Sequence, residues 1–420
     1  MIKEFKPVFA NSKFMYLWVS QILSQVTVHI LNFLLLARLF VVTGSTIATS
    51  LLWVAYALPA IFFGPIGAAS VDLVSRRKML MMTNLLQAAT VFAYIFTHQS
   101  SVFLLYVVVL IYSLFNQFYV PAENASLPSV VPKNSLPQAN SLFFITQQTA
   151  LVIGFGLAGI LQKFLGFDGT LILCSVFLFV AFVSVAFLPD LKPGNEVPQT
   201  LDKLLKSFFG SIIAGYEFIR GRKSVLFPFL LLLGIQVATA MVVVTLPLIA
   251  VDVLKVSISY AGVLVVVPAG IGATLGSIII SRQLKKRTRK KSVIETNLLI
   301  LGISILLTIY LIPYLSTLAR VIVGPVLLVL SGAGFIGVSI PTLTYLQEVT
   351  PQELRGRVFG NFWFLVTIAT IFPVLFSGLF AEFFGVRNLL LLLAVLIFLV
   401  FYYSRNHGQK LIEEHFKDEK

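Results

Sequence analysis

The sequence predicts an all-α membrane protein of twelve transmembrane helices, arranged as two pseudo-symmetric bundles of six. Three observations predict it. First, 58% of the 420 residues are hydrophobic and only 11% are charged, against about 25% charged in a typical soluble domain. With a mean hydropathy of +0.95, the chain has too much apolar surface to hide inside a globule of its length, so its solvent is lipid. Second, the chain contains twelve apolar runs of about the length that crosses a bilayer core as a helix. A helix satisfies its own backbone hydrogen bonds, which lipid cannot do. Third, the cations sort by loop. With both termini cytoplasmic, all of the 31 Lys and Arg residues fall on the cytoplasmic side except Arg38, Lys163, Lys255, Arg320 and Arg387, as the positive-inside rule requires. The net charge of +14 is therefore explained by topology, and no nucleic-acid partner is expected.

In chain order the runs cover 15–40, 48–71, 79–98, 102–121, 141–163, 169–188, 226–251, 258–281, 293–313, 318–346, 358–381 and 386–404. The first follows a segment with Lys3, Lys6 and Lys13. It is too long for the apolar region of a signal peptide and lacks a clear small-residue cleavage site, so it reads as a span. The longest polar interruption starts at "PDLKPGNEVPQ" (189–199), a helix-breaking stretch. It continues as "TLDKLLKSFFGSIIAGYEFIRG" (200–221), whose apolar residues recur at helical spacing, the pattern of a helix lying on a membrane surface. The expected domains are therefore a six-helix bundle at 1–188, a linker with an amphipathic helix at 189–225, a second bundle at 226–404 and a cytoplasmic tail at 405–420.

The halves echo each other. "LPSVVPKNSLPQANSL" (127–142) follows the fourth run and "LQEVTPQELRGRVFGN" (346–361) follows the tenth. Basic loops follow both the second and the eighth. Paired six-span repeats are how secondary transporters build two bundles around a central site. The loop after the second run reads Ala68-Ala69-Ser70-Val71-Asp72-Leu73-Val74-Ser75-Arg76-Arg77. It resembles the loop motif of the major facilitator superfamily, G-x-x-x-D-[RK]-x-[GS]-R-[RK]. Asp72, Arg76 and Arg77 match, Ala68 replaces the first glycine and Leu73 the usual cation. "FYVPAENASLPSVVPKNSLPQANSL" (118–142) and "LQEVTPQELRGRVFGN" further resemble drug:proton antiporter family 3, the branch of macrolide-efflux and enterobactin-exporter-like proteins.

That resemblance implies the major facilitator fold and a cytoplasmic latch, in which Asp72 and Arg76 or Arg77 meet the region of Arg355 and Arg357 in the other half. Glu123 and Glu348, at comparable inner ends of the fourth and tenth runs, either join that network or are structural. No acid falls near the middle of a run. A polar stripe does: Gln21, Gln25, His29 and Asn32, spaced four, four and three, share one helical face. Polar groups in a membrane helix face the bundle interior or a wet cavity, so the stripe is a candidate substrate site. Asn116, Gln117, Gln147, Gln148 and Gln236 either line the same cavity or bond across helices.

"GFGLAG" (154–159) matches GxGxxG by letters, but it sits inside an apolar run with no preceding strand, so no dinucleotide site follows. Its small residues suit close helix packing. The lone Cys174 lies in an apolar run and reads as a small hydrophobe. No P-loop, metal-ligand cluster or hydrolytic triad is present, and no enzyme activity or cofactor is expected beyond a proton gradient as energy source. The expectation is a monomeric multi-pass protein of a bacterial plasma membrane. As the resemblance implies, it would export a bulky amphipathic small molecule, such as a drug, macrolide or siderophore-like compound, against protons. A facilitator or importer of a specific metabolite, and a non-transporting membrane scaffold or sensor, stay open at this stage.

Overall fold

A computed structural model describes residues 7–71, 73–132, 135–191, 210, 213, 216–285 and 289–417. The membrane-crossing helices are α1 (Ser12–Thr43), α2 (Thr46–Ser70), α3 (Arg76–Thr97) and α4 (Phe103–Val130), followed by a helical stretch over Leu136–Ala186. That stretch is broken at Gly166, whose φ of 72° and ψ of 179° leave the helical region, so it divides into α5 (136–165) and α6 (167–186). A positive φ is where glycine is needed. After it come α7 (Lys223–Val244), α8 (Val267–Lys285), α9 (Lys290–Tyr310), α10 (Thr317–Val349), α11 (Gln352–Phe384) and α12 (Val386–Lys417). Eleven stretches are long and apolar enough to cross a membrane. The break at Gly166 divides one of them in two, which gives the twelve spans the sequence predicts.

Several helices outrun the apolar runs that announced them. α4 continues past 121 to Val130, through Pro121 and Pro128. Proline removes one backbone donor, and membrane helices tolerate the gap where a neighbour meets the freed carbonyl. α12 extends from its apolar run to Lys417, past the expected end of the bundle at 404. Between α7 and α8 the chain passes through two π-turns, Ile249–Val253 and Gly262–Val266.

The chain forms two compact units, Met1–Val42 with Leu52–Phe208, and Thr43–Leu51 with Phe209–Lys420. The first turns of α2, up to Leu51, group with the second unit. Most of the expected surface helix lies outside the described residues; residues 216–221 are helical.

In the first unit a cluster at the start of α1 and α3 and the end of α4 buries Phe14, Leu17, Leu80, Tyr119, Ala122 and Leu127. In the second, Val225, Phe229, Leu232, Leu346, Val358 and Phe362 form a second cluster. Small residues set the closest helix contacts. A Cβ on Gly272 of α8 would lie 1.9 Å from the Val329 carbonyl oxygen of α10, and one on Gly332 would lie 1.9 Å from the Ala269 oxygen. Within lipid, such backbone proximity replaces the hydrophobic drive that holds soluble helices together. Phe96, Phe164, Phe372 and Phe383 each expose most of their surface, as lipid-facing side chains do.

Also within the second unit, the Glu382 carboxylate of α11 accepts hydrogen bonds from Ser45 Oγ at 2.6 Å, the Ile47 amide at 3.0 Å and Thr46 Oγ1 at 3.4 Å. An acid at a helix start meets unpaired amides and the positive end of the helix dipole.

Candidate functional site

α1 carries the polar stripe, and its four members have different surroundings. Gln21 is fully buried. Its Nε2 donates to the Phe143 carbonyl of α5 at 3.4 Å, so it belongs to helix packing rather than to an open cavity wall. Gln25, His29 and Asn32 are half-buried. The His29 ring lies 5.9 Å from that of Phe155. α5 can approach because residue 154 is glycine: a Cβ there would come within 2.5 Å of the His29 Cβ. The "GFGLAG" stretch thus works as a packing surface that sets where His29 sits.

Asn32 borders a small cavity with Leu52, Trp53, Tyr56 and Val109, and a second one that reaches Tyr112. Tyr56 was not legible as a site residue, because a lone aromatic in an apolar run has no distinguishing neighbour in sequence. In the fold it is tied to α4 twice. Its carbonyl accepts from Ser113 Oγ at 2.6 Å, and its hydroxyl accepts from Asn116 Nδ2 at 3.4 Å. Gln117 is turned back along its own helix, donating to the Ser113 carbonyl at 3.0 Å. Gln147 of α5 and Gln236 of α7 are half-buried and Gln148 is exposed. The cavity that Asn32 and Tyr56 share is therefore lined by a neutral amide, a phenol and apolar walls, with Asn116 beside it as a second amide. Its lining side chains can donate and accept hydrogen bonds and supply no charge, and the space itself is about that of one water molecule.

Asp72 lies outside the described residues, as do the side chains of Arg355 and Arg357. Arg76 and Arg77 are described, and both serve helix ends in the first unit. Arg76 donates from Nη1 to the Ala125 carbonyl at 2.9 Å and to Ser129 Oγ at 3.1 Å, at the end of α4. Arg77 donates from Nη2 to the Ala186 carbonyl at 2.5 Å, at the end of α6. Cations at helix C-termini satisfy unpaired carbonyls and the negative end of the dipole. Beside them Ser75 Oγ donates to Asp190 at 2.6 Å. The basic loop thus ties α3, α4 and α6 into one piece.

The two glutamates at comparable positions differ. Glu348, near the end of α10, is exposed and pairs with Lys290 at the start of α9. Glu123 of α4 is fully buried and accepts the Tyr119 hydroxyl at 2.8 Å. That hydroxyl belongs to a chain of polar side chains from three helices. Tyr119 and Ser20 are 3.2 Å apart, Asn84 Nδ2 donates to Ser20 at 3.1 Å, and Ser24 donates to Asn84 Oδ1 at 3.0 Å. Sequence reasoning missed Ser20, Ser24, Asn84 and Tyr119, although the four-residue step from Tyr119 to Glu123 was the available signal.

A family model described as Major Facilitator Superfamily matches residues 17–373. Macrolide efflux protein A of Streptococcus pyogenes is 25% identical over 92% of this chain and 93% of its own. An uncharacterized MFS-type transporter of Bacillus subtilis (strain 168), YfiS, is 28% identical over 94% of this chain and 93% of its own. Among solved structures, the nucleoside transporter NupG covers 94% of this chain and 98% of its own, with a TM-score of 0.71 at 14% identity. A bacterial homologue of the iron transporter ferroportin, in an inward-facing state, covers 93% and 98% with a TM-score of 0.70 at 16% identity. These structures share the fold.

Proposed function

The chain belongs to the Major Facilitator Superfamily, and from that premise we propose that it exports a bulky, weakly polar molecule of the macrolide class, driven by an inward flow of protons. It is a membrane transporter and not an enzyme. The observation that carries the substrate class is the chain-long likeness to the relative named for macrolide efflux, with which the uncharged lining beside α1, Asn32 and Tyr56 among apolar and aromatic side chains, is compatible. A sugar site would present more hydrogen-bonding groups, and an anion site would present cations. The relative named for macrolide efflux, alike along nearly its whole length, supports both the class and the outward direction.

The test uses an efflux-deficient bacterial host. Cells producing the protein are expected to hold several-fold less radiolabelled erythromycin than control cells, with the difference abolished by a protonophore. Equal or higher accumulation in the producing cells sinks the reading, and higher accumulation points to an importer.

We place the protein in a bacterial plasma membrane as a monomer, with both termini in the cytoplasm. The support for that orientation is the sorting of cations between loops. Cys174 is buried, so single added cysteines report cleanly. Ser100→Cys, after α3, is expected to react with an impermeant maleimide in intact cells. Lys78→Cys, exposed at the start of α3, is expected to react only once the membrane is opened. The reverse pattern would invert the topology.

A further inference from the structure

Glu123 is the buried acid that no other role in the fold accounts for. It is 0% exposed. Its Oε1 receives the Tyr119 hydroxyl, and its Oε2 is buried with no hydrogen-bond partner. Among the described residues no Lys, Arg or His pairs with it. It lies seven residues before the end of α4, about 10 Å along the helix at 1.5 Å per residue. A carboxylate buried without a partner is costly. Ionisable groups inside membrane segments are rare and mark ion pathways by default.

The comparison with Glu348 sharpens the point. There, the first residue of α9, Lys290, reaches the glutamate. The first residue of α3 is also a cation, Arg76, but its guanidinium is committed to the Ala125 carbonyl and Ser129 beyond Glu123. The expected counter-charge is thus spent on the helix end. What meets Glu123 instead is a directional chain of neutral donors. Asn84 donates to Ser20, Ser20 can donate to Tyr119, and Tyr119 donates to Glu123. The groups turned toward this chain are Ser20 and Ser24 from α1, Asn84 from α3, and Tyr119 from α4 itself. Tyr119 is the titratable one, and Arg76 is the nearby charge.

We propose that Glu123 is the proton-binding site of this transporter, held by the Asn84–Ser20–Tyr119 donor chain. The proposal rests on the proton-coupled reading above. The donor chain steadies the carboxylate when the proton is absent, and the neutral acid suits the apolar surroundings when it is present, so both forms are accessible in one place. The proton comes from water on one side and forms an O–H bond at Oε2, the oxygen without a partner, while Tyr119 keeps its hydrogen bond to Oε1. Release breaks that same O–H bond and returns the proton to water on the other side.

Infrared difference spectra of the reconstituted protein between acidic and alkaline buffers test this without any substrate. The wild type is expected to show a titrating high-frequency carboxyl stretch, the mark of an acid shielded from water. Glu123→Gln should remove the band and Tyr119→Phe should shift it. A band that survives Glu123→Gln, or no such band in the wild type, overturns the proposal. In liposomes, Glu123→Gln is expected to retain erythromycin counterflow and to lose at least tenfold of the accumulation driven by a pH gradient. Retained gradient-driven accumulation overturns the proposal, and so does loss of counterflow together with the drive, which would make Glu123 part of the packing. If the wild type itself shows no gradient-driven flux, the export reading fails, while the titrating band still identifies a proton site.

Discussion

Gly67→Ala is expected to be the most damaging one-carbon change in the first unit. A Cβ at residue 67 of α2 would lie 2.1 Å from the Gln117 carbonyl oxygen of α4 and 2.8 Å from its carbon. Both are backbone atoms and cannot swing aside. The contact follows from the sequence of α4. Pro121 has no amide hydrogen, so the Gln117 carbonyl four residues earlier loses its intrahelical donor. Gly67 brings its α-hydrogens to that oxygen, a weak contact worth about half an ordinary hydrogen bond or less. An added methyl must push the helices apart, at an overpacking cost of about 1–3 kcal/mol. For a unit of this size that corresponds to a fall in melting temperature of roughly 3–10 °C. Gly234→Ala is the control. A Cβ there, in the interior of α7, meets nothing within 4 Å. Alanine should be neutral or raise stability by about 0.5–1 kcal/mol through helix propensity alone. Thermal unfolding of the purified proteins in one detergent measures both; equal melting temperatures would remove the α2–α4 crossing from the account.

Asn32→Leu is expected to have the largest effect on transport with the fold intact. Asn32 borders both small cavities beside Tyr56 and is half-buried. Leucine keeps the number and branching of the side-chain heavy atoms, and Asn32 borders open space on one side, so packing should survive. A hydrogen bond lost to a bound ligand is worth about 1–1.5 kcal/mol, which is close to tenfold in affinity. We therefore expect erythromycin export with a KM raised roughly tenfold and an unchanged melting temperature. Asn388→Ala serves as the control. Its amide, at the start of α12, donates to the Phe384 carbonyl at the end of α11, and its removal should leave KM as it was. Equal KM values for Asn32→Leu and the wild type would move the substrate site away from α1.

The number and order of the spans were legible because apolar runs of bilayer length have few other uses. Their ends were less legible. The fourth apolar run ends at 121, yet α4 continues through Pro121 and Pro128 to Val130, because a neighbouring helix serves the carbonyl that one of them frees. The stripe on α1 was visible as spacing, but spacing alone does not separate a residue packed on another helix from one facing a cavity. Gln21 and Asn32 lie on one face and have opposite surroundings. Glu123 and Glu348 were legible as a pair by position. Their difference lies in where one arginine and one lysine point, which depends on helix-end carbonyls that no local pattern encodes. Asn84 and Ser20 carry no signal until α1, α3 and α4 are placed together.

Gradient-driven uptake into inside-out membrane vesicles tests the central claim most directly. Their lumen corresponds to the cell exterior, so an acid lumen supplies the driving force for antiport. Macrolides bearing an amine concentrate in acid compartments unaided, so the quantity to read is the excess over vesicles lacking the protein. Vesicles containing the wild-type chain should take up several-fold more labelled erythromycin than the protein-free ones while the gradient lasts, and should lose that excess when it is collapsed. Uptake equal to that of protein-free vesicles, or an excess indifferent to the gradient, would contradict proton-driven export.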